Sequence, residues 1–467
     1  MEESAYRVIR FQGELLPQQS PSFKCAVSIR IHRWDPASLE VELLWLGDDE
    51  ERKACAGAVM HLPQNHLMIH SLDKEHPSVQ LLGISGVTTN QREATIRASA
   101  IEIGFEEILG TEASSCTVIA RLQPSGILSG IGFKKMNFTG DIVFERVDEG
   151  GIHVQTPVGS FEARETYEYF STQAHGNKIT EQIQRASLIG EITIPAGECL
   201  RATHDKIEAA TKDVCAALSL CYRQPVGFYE IDYLRSGEKA GVPLLFRHRW
   251  YAAKRRRDGD ELIAARSLTN GRLEKLVAEL RVSPRREALF RSIQFLAASY
   301  EATLEVGYFM AFSAMESAIN ACLDEEQREL VTKGLWKKLE PTLRGAIDAS
   351  GPENGLSETT VGLMKKKLPE LRRAALQSRA EQACDRFKPK TDDLWPKGGF
   401  IEGIRQAAGV RNDLFHAAHA AETEEMYTNL VRIRTFTERL LLQVLNWPVE
   451  DIWVWYDQEL IRVNSDR

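Results

Sequence analysis

Near residue 198 the spacing of apolar residues changes from alternation to helical steps, so the chain must place a strand-rich part before a helical one. Ahead of the change, β-branched runs recur at residues 25–31 (CAVSIRI), Leu39–Trp45 (LEVELLW), 94–103 (ATIRASAIEI), 116–122 (CTVIARL) and Asp141–Arg146 (DIVFER). Gly, Pro, Asp and Ser separate them, which is the punctuation of strands and turns. Their fairly regular spacing predicts an antiparallel sandwich or open barrel. No strand–helix–strand alternation is visible, so a nucleotide-binding parallel sheet is not expected.

Beyond the change, a helix is predicted over Leu200–Tyr222, then a mixed segment through residues 228–234 and a basic stretch. Ser283 followed by Pro284 is an N-cap with proline at the first helical position. Leu289, Ile293, Leu296, Tyr300 and Leu304 then fall on one helical face, with Gly307 expected to bend or divide it. Phe312, Glu316, Ile319 and Leu323 continue at helical steps and place a carboxylate on an apolar stripe. Such a carboxylate needs a charged or hydrogen-bonding partner, or its pKa rises. Arg411 or Asn412 is the expected partner; the alternative is a stripe-edge position reaching water. One helix is predicted over about residues 358–387, another segment over 400–418, and a last amphipathic helix carrying Met426, Leu430, Ile433, Phe436 and Leu440 that stops at Trp447-Pro448. The expected fold class is a multidomain α+β protein with four or five packed helices at its C-terminal end. Its parts are a β-rich sensing or regulatory domain over 1–197, a mixed helical, basic connecting region over 198–283 and a helical bundle over 284–467.

With 467 residues, 43% of them apolar and 27% charged, the chain can bury more than one core and has an ordinary globular composition. No apolar run is long enough for a membrane span, and the opening MEESAYRVIR does not look like a secretory leader, so a cytoplasmic protein without membrane partners is expected. The eight cysteines are scattered without a C-x-x-C pair, which predicts reduced, mostly buried thiols. The net charge of −8 argues against indiscriminate coating of nucleic acid. It is unevenly spread: residues 1–200 carry 17 basic and 27 acidic side chains, whereas residues 247–291 carry 13 and 6. Lys254, Arg255, Arg256 and Arg257 head that basic stretch, either as a weak RNA-binding surface or as a solvated loop.

The run RNDLFH offers the chemistry needed to cut RNA without a metal. Arg411 supplies a fixed positive charge for a phosphate, and His416 an imidazole that moves a proton near neutral pH. An Arg five positions before a His is weak evidence in a chain with eleven histidines; Asn412 directly after the Arg makes the pattern more specific. Asn412 and His416 share a helical face, while Arg411 lies about 100° around from Asn412. One copy is poorly placed to surround a phosphate, and two copies related by twofold symmetry would supply both faces. Asp413 and His419 are nearby polar groups more suited to local hydrogen bonding.

Residues 284–447 resemble a HEPN domain, the helical superfamily marked by Arg, four to six residues, then His, often with Asn after the Arg. Arg411, Asn412 and His416 match that pattern, and residues 309–323 (FMAFSAMESAINACL) resemble the family's second long helix, with Glu316 where members often carry a polar residue. Joined to an acidic, strand-rich front half, the domain is similar to the ApeA-like branch of prokaryotic defence proteins. The resemblance implies a metal-independent, cofactor-free endoribonuclease of anti-phage, abortive-infection defence, with RNA as substrate and a homodimer or higher even oligomer as its working form. Such an effector is expected to be held in check until a trigger arrives, a phage component being the candidate. The other reading is a non-catalytic HEPN dimer acting as a ligand- or RNA-binding module.

His61, His66, His70 and His76 cluster, and His66 and His70 have a spacing that holds zinc on a helix, but the zinc-peptidase glutamate is lacking and a histidine-bearing loop without metal is expected. No GxxxxGK[ST], GxSxG or GxGxxG run occurs; Gly83-Ile84-Ser85-Gly86 and Gly130-Ile131-Gly132 read as turn glycines. Trp447, Trp453, Trp455 and Tyr456 could stack bases but are better read as packing mass.

Overall fold

The computed structural model describes residues 6–16, 22–32, 39–60, 66–72, 78–105, 114–124, 126–128, 133–138, 141–146, 152–174, 177–197, 199–235, 244–248, 261–264, 267–396, 398–416, 423–448 and 457–465. The chain forms two compact units. The first comprises Met1–Leu218, Pro225–Asp258 and Ala264–Val277; the second comprises Ser219–Gln224, Gly259–Ile263 and Ala278–Arg467. The stretch expected to connect domains, 198–283, is divided between them.

The first unit begins with strands β1 (Tyr6–Leu16), β2 (Phe23–His32) and β3 (Leu39–Trp45), helix α1 (Asp49–Met60), then β4 (His66–Ser71), β5 (Val79–Thr89) and β6 (Glu93–Ile103). These six strands close on themselves in the order β1-β2-β3-β6-β5-β4, every pairing antiparallel, so the barrel is closed where the sequence pattern predicts an open barrel or sandwich. Closure abolishes the unpaired edges that an open sheet would expose. Alternation fills the inside: Leu39, Val41, Leu43 and Trp45 of β3 are buried, and Ile29, Ile69, Val79 and Ile96 join them in one apolar core to which α1 adds Cys55 and Val59. Gly83 to Gly86 lie inside β5, at a register shift between Ile84 and Gly86, so they form a bulge in place of the predicted turn. Gly83 has φ +57°, a conformation that favours glycine, and a Cβ there would meet Ser99 Oγ at 2.0 Å, so a larger residue would have to displace that hydroxyl. The other predicted turn glycines, 130–132, lie outside the described residues.

The sheet continues past the barrel through the second half of β6. It runs on as β14 (Leu244–His248), β13 (Gly227–Arg235), β7 (Ser114–Gln123), β12 (Asn177–Ile194), β11 (Gly159–Ala174) and β10 (Ile152–Thr156), while β8 (Phe133–Phe138) and β9 (Asp141–Arg146) pair separately. Inside this extension Arg121 bonds Glu230 at 2.6 Å and Asp232 at 2.5 Å, and Arg247 bonds Glu230 at 2.7 Å, so the buried charges are mutually paired. Helix α2 (Leu200–Tyr222) takes the predicted bounds. Its His204 is buried among Phe105, Tyr233 and Phe246.

Helix α3 (Arg272–Val282) is divided between the units, and the rest of the second unit is helical: α4 (Arg286–Ser299), α5 (Leu304–Cys322), α6 (Lys333–Glu353), α7 (Glu358–Lys367), α8 (Leu376–Phe387), α9 (Phe400–His416), α10 (Thr423–Val444) and α11 (Asp457–Ser465). That is more than the four or five helices expected. The break between α4 and α5 falls at Tyr300–Thr303, ahead of Gly307. Gly307 is instead the close-approach point in the first turn of α5, where a Cβ would sit 2.8 Å from the Ser299 carbonyl oxygen. Ser283 is not the N-cap expected: α4 starts after Arg285, without a side-chain cap, and the Ser283 hydroxyl accepts from Arg285 N at 3.3 Å in the turn ahead of it. The single helix expected over 358–387 is two, because Pro369 opens a 3-10 turn (Leu368–Arg372) between α7 and α8.

Helix α10 is buried on every side, from Met426 through Leu442. Each of its buried charged residues has a polar or aromatic partner. Glu438 receives both Nε and one Nη of Arg223 at 2.8 Å, with the Tyr300 hydroxyl also donating to it. Arg439 grips Asp393 at 2.6 and 2.9 Å, and Arg434 stacks 4.2 Å over Tyr300. Among the described residues no helix is long and apolar enough to cross a membrane. Six of the eight cysteines are buried and the other two, Cys199 and Cys384, half-buried, all as free thiols.

Candidate functional site

Helix α9 carries the RNDLFH run on a backbone anchored at three points. Ile404, Ala407 and Val410 are buried and hold one face against the bundle. Gly403 lets Trp395 lie directly on the helix, since a Cβ there would come within 2.2 Å of the indole. Trp395 Nε1 in turn donates to Asn429 of α10 at 3.2 Å. Tyr308 of α5 donates its hydroxyl to the Ala407 carbonyl oxygen at 2.9 Å, and one turn further along both helices the Arg411 guanidinium lies 5.5 Å from the Phe312 ring centroid. Over this turn α5 and α9 thus run side by side in the same direction. Another turn reaches Glu316 on α5 and the end of α9 at His416.

Arg411 is half-buried and donates from Nη1 to Asn412 Oδ1 at 3.2 Å; Asn412 is exposed. The two side chains meet although their Cα positions lie about 100° apart around the axis, because the long guanidinium stem folds back. His416 is the last residue of α9 and its side chain lies outside what is described, as do Lys254, Arg255, Arg256 and Arg257 and His419. Asp413 is exposed.

Glu316 is paired otherwise than the sequence suggests. Its side chain keeps 34% of its surface exposed, and its carboxylate lies 3.9 Å from Arg379 of α8; the Arg411 guanidinium is taken up by Phe312 and Asn412. Glu316 therefore sits at the rim of the apolar stripe, and helical spacing within α5 could not reveal a partner arriving from α8.

Around Glu316 opens a cavity of about 630 Å³. Arg291 and Phe295 of α4, Ser313, Glu316, Ser317 and Asn320 of α5, and Glu325, Arg328, Glu329, Arg373 and Arg379 from the turns and helix beyond line it. Two loops are laced together at its edge: Leu330 N donates to Arg372 O at 2.7 Å and Ala374 N to Arg328 O at 3.0 Å, with Glu329 bridging Arg373. Arg379 is held by Ala374 O at 3.1 Å and by Asn320 Oδ1 at 2.5 Å. Burial, despite Glu316 and with the like charges of Arg373 and Arg328, holds the Arg379 guanidinium below the usual arginine range. These arginines were not legible as a site, since they come from four separate elements and match no linear motif.

Elsewhere, His66 and His70 lie on strand β4, where residues four apart are about 13 Å apart, too far to share a zinc ion. The histidine-bearing loop expected there is a strand at those two positions; His61 and His76 lie outside the described residues. His70 is exposed, with Nδ1 3.4 Å from Ser78 Oγ. Among the described residues no group of three or more His, Cys, Asp or Glu side chains could hold a metal ion. Trp447 is buried, while Trp453, Trp455 and Tyr456 lie outside the described residues. Comparison with protein-family models, curated proteins and solved structures finds no match.

Proposed function

We propose that the protein is a metal-independent endoribonuclease of the HEPN type, working as a homodimer in anti-phage defence. The observation that supports it best is the meeting of Arg411 and exposed Asn412 on α9, with His416 one turn beyond Asn412 on the same helix. In this reading His416 takes the proton from a ribose 2′-hydroxyl as the 2′-oxygen attacks phosphorus. The bond from phosphorus to the 5′-oxygen breaks, and that oxygen gains a proton from an imidazolium of the paired sites. Arg411 balances charge on the equatorial phosphate oxygens, and Asn412 orients the phosphate. The products are a 2′,3′-cyclic phosphate and a 5′-hydroxyl; DNA, lacking the 2′-hydroxyl, is not cut. The β-barrel unit serves as the sensing part that restrains cleavage until a trigger binds.

The test is incubation of the purified protein with total RNA in EDTA, followed by chemical identification of the RNA ends. Cyclic-phosphate ends are expected, and His416→Ala should slow their formation by roughly 10²–10⁴. Equal cleavage by that variant would remove the assignment.

A further inference from the structure

We propose that the arginine-lined cavity between α4, α5 and α8 is a binding site for the phosphate of a nucleotide. Four arginines stand among three glutamates there, and of these glutamates Glu329 is held by Arg372 while Glu316 stands near Arg379. Among the described residues neither Arg291, Arg328 nor Arg373 has a carboxylate within ion-pairing distance, and the Nε of Arg328 is buried without a hydrogen-bond acceptor. Arg379 is turned into the cavity by bonds to Asn320 and Ala374, and its one carboxylate neighbour, Glu316, stands off at 3.9 Å. The arginines outnumber the glutamates by one, and a buried donor left without an acceptor costs free energy. A phosphate relieves both, since its oxygens accept bidentate pairs from guanidinium groups.

The size and the remaining walls select a nucleotide over a bare anion. A volume of about 630 Å³ lies in the range of small-molecule sites, and inorganic phosphate alone would leave much of it unfilled. Half-buried Phe295 offers a ring face to a base, and Glu316 offers an acceptor for a ribose hydroxyl or an exocyclic amine. The backbone that carries Arg328 and Arg373 is also set in advance, by the bonds that lace residues 328–330 to 372–374. None of these arginines belongs to the RNDLFH run, so the cavity stands whether or not that run cuts RNA. Its nucleotide can be a unit of an RNA strand, since α5 leads from Phe312 and Arg411 straight into it, or a free nucleotide.

Two titrations test it on the full-length protein. One follows the fluorescence anisotropy of a dye-labelled, fully 2′-O-methylated oligoribonucleotide, which cannot undergo 2′-hydroxyl attack; the other follows AMP by calorimetry. Arg291→Glu combined with Arg373→Glu changes two exposed side chains, so folding should survive, and Arg328→Met removes the half-buried charge separately. Binding should weaken at least tenfold in both variants, and Arg405→Glu, an exposed charge of α9 outside the cavity, should leave it unchanged. Loss confined to the oligonucleotide assigns the site to an RNA strand; loss for AMP as well assigns it to a free nucleotide. The idea is overturned if wild type binds neither ligand at millimolar concentration, if the cavity variants bind like wild type, or if Arg405→Glu is as damaging as they are. A chain that fails here yet still generates cyclic-phosphate ends loses only the cavity; one that binds through the cavity yet cuts nothing loses only the ribonuclease.

Discussion

His204 shows what burial does to a single ionisable side chain. Enclosed by Phe105 and Phe246, with Nδ1 2.6 Å from the Tyr233 hydroxyl, it is pushed down to about 3 by desolvation and by the nearby charges of Arg201 and Lys212. The folded chain therefore holds it neutral, while the unfolded chain protonates it near the ordinary value of 6.5. The unfolded state binds the extra proton, so this group costs the fold nothing above pH 6.5 and destabilises it progressively as pH falls toward 3. Urea unfolding at pH 7 and pH 4.5 should show a smaller gap between midpoints for His204→Gln than for wild type; equal gaps would mean His204 is accessible to protons in the fold. Glu438 is managed differently: fully buried, it stays matched by Arg223 and Tyr300.

At the scale of elements, α9 depends on where glycine is and is not needed. Gly403 is the seat of Trp395, and Gly403→Ala must push the indole or the helix aside, a cost of about 1–3 kcal/mol. Gly409, on the same helix, has nothing within 4 Å of the position a Cβ would take, and Gly409→Ala should stabilise by about 0.5–1 kcal/mol by restricting the unfolded chain. Chemical denaturation of the pair should give shifts of opposite sign, and shifts of the same sign would contradict the packing of α9 on Trp395. Elements also set the limits of periodicity as a guide. The pattern over 358–387 reads as one helix because apolar spacing survives across the turn at Pro369, whereas the backbone cannot. In β5 the bulge at Gly83–Gly86 resembles a turn in sequence because both need glycine's left-handed conformations.

For the molecule as a whole, each unit owns a core. Ile29 is fully buried in the closed barrel, and Ile29→Ala should cost about 2–5 kcal/mol. Hydrogen exchange should report the loss across β1–β6; protection lost evenly through the helical unit as well would mean that the chain unfolds as one body. The helical unit is arranged around α10, whose all-round burial needs a full set of partners for Arg434, Glu438 and Arg439. Those partners come from sequence positions as distant as Arg223, which is why a helix that reads as amphipathic turns out to be central.

The chain's alternation and helical spacing alone determined the α+β division, the inward faces of β3 and α5 and the position of α2, because each follows from contacts a few residues apart. Closure of the barrel, the pairing of Glu316 with Arg379, the resting place of Arg411 on Phe312 and the gathering of Arg291, Arg328, Arg373 and Arg379 around one cavity were decided only in the tertiary structure. Those features join residues that no period links, and long-range packing and charge pairing leave no local trace in the order of amino acids.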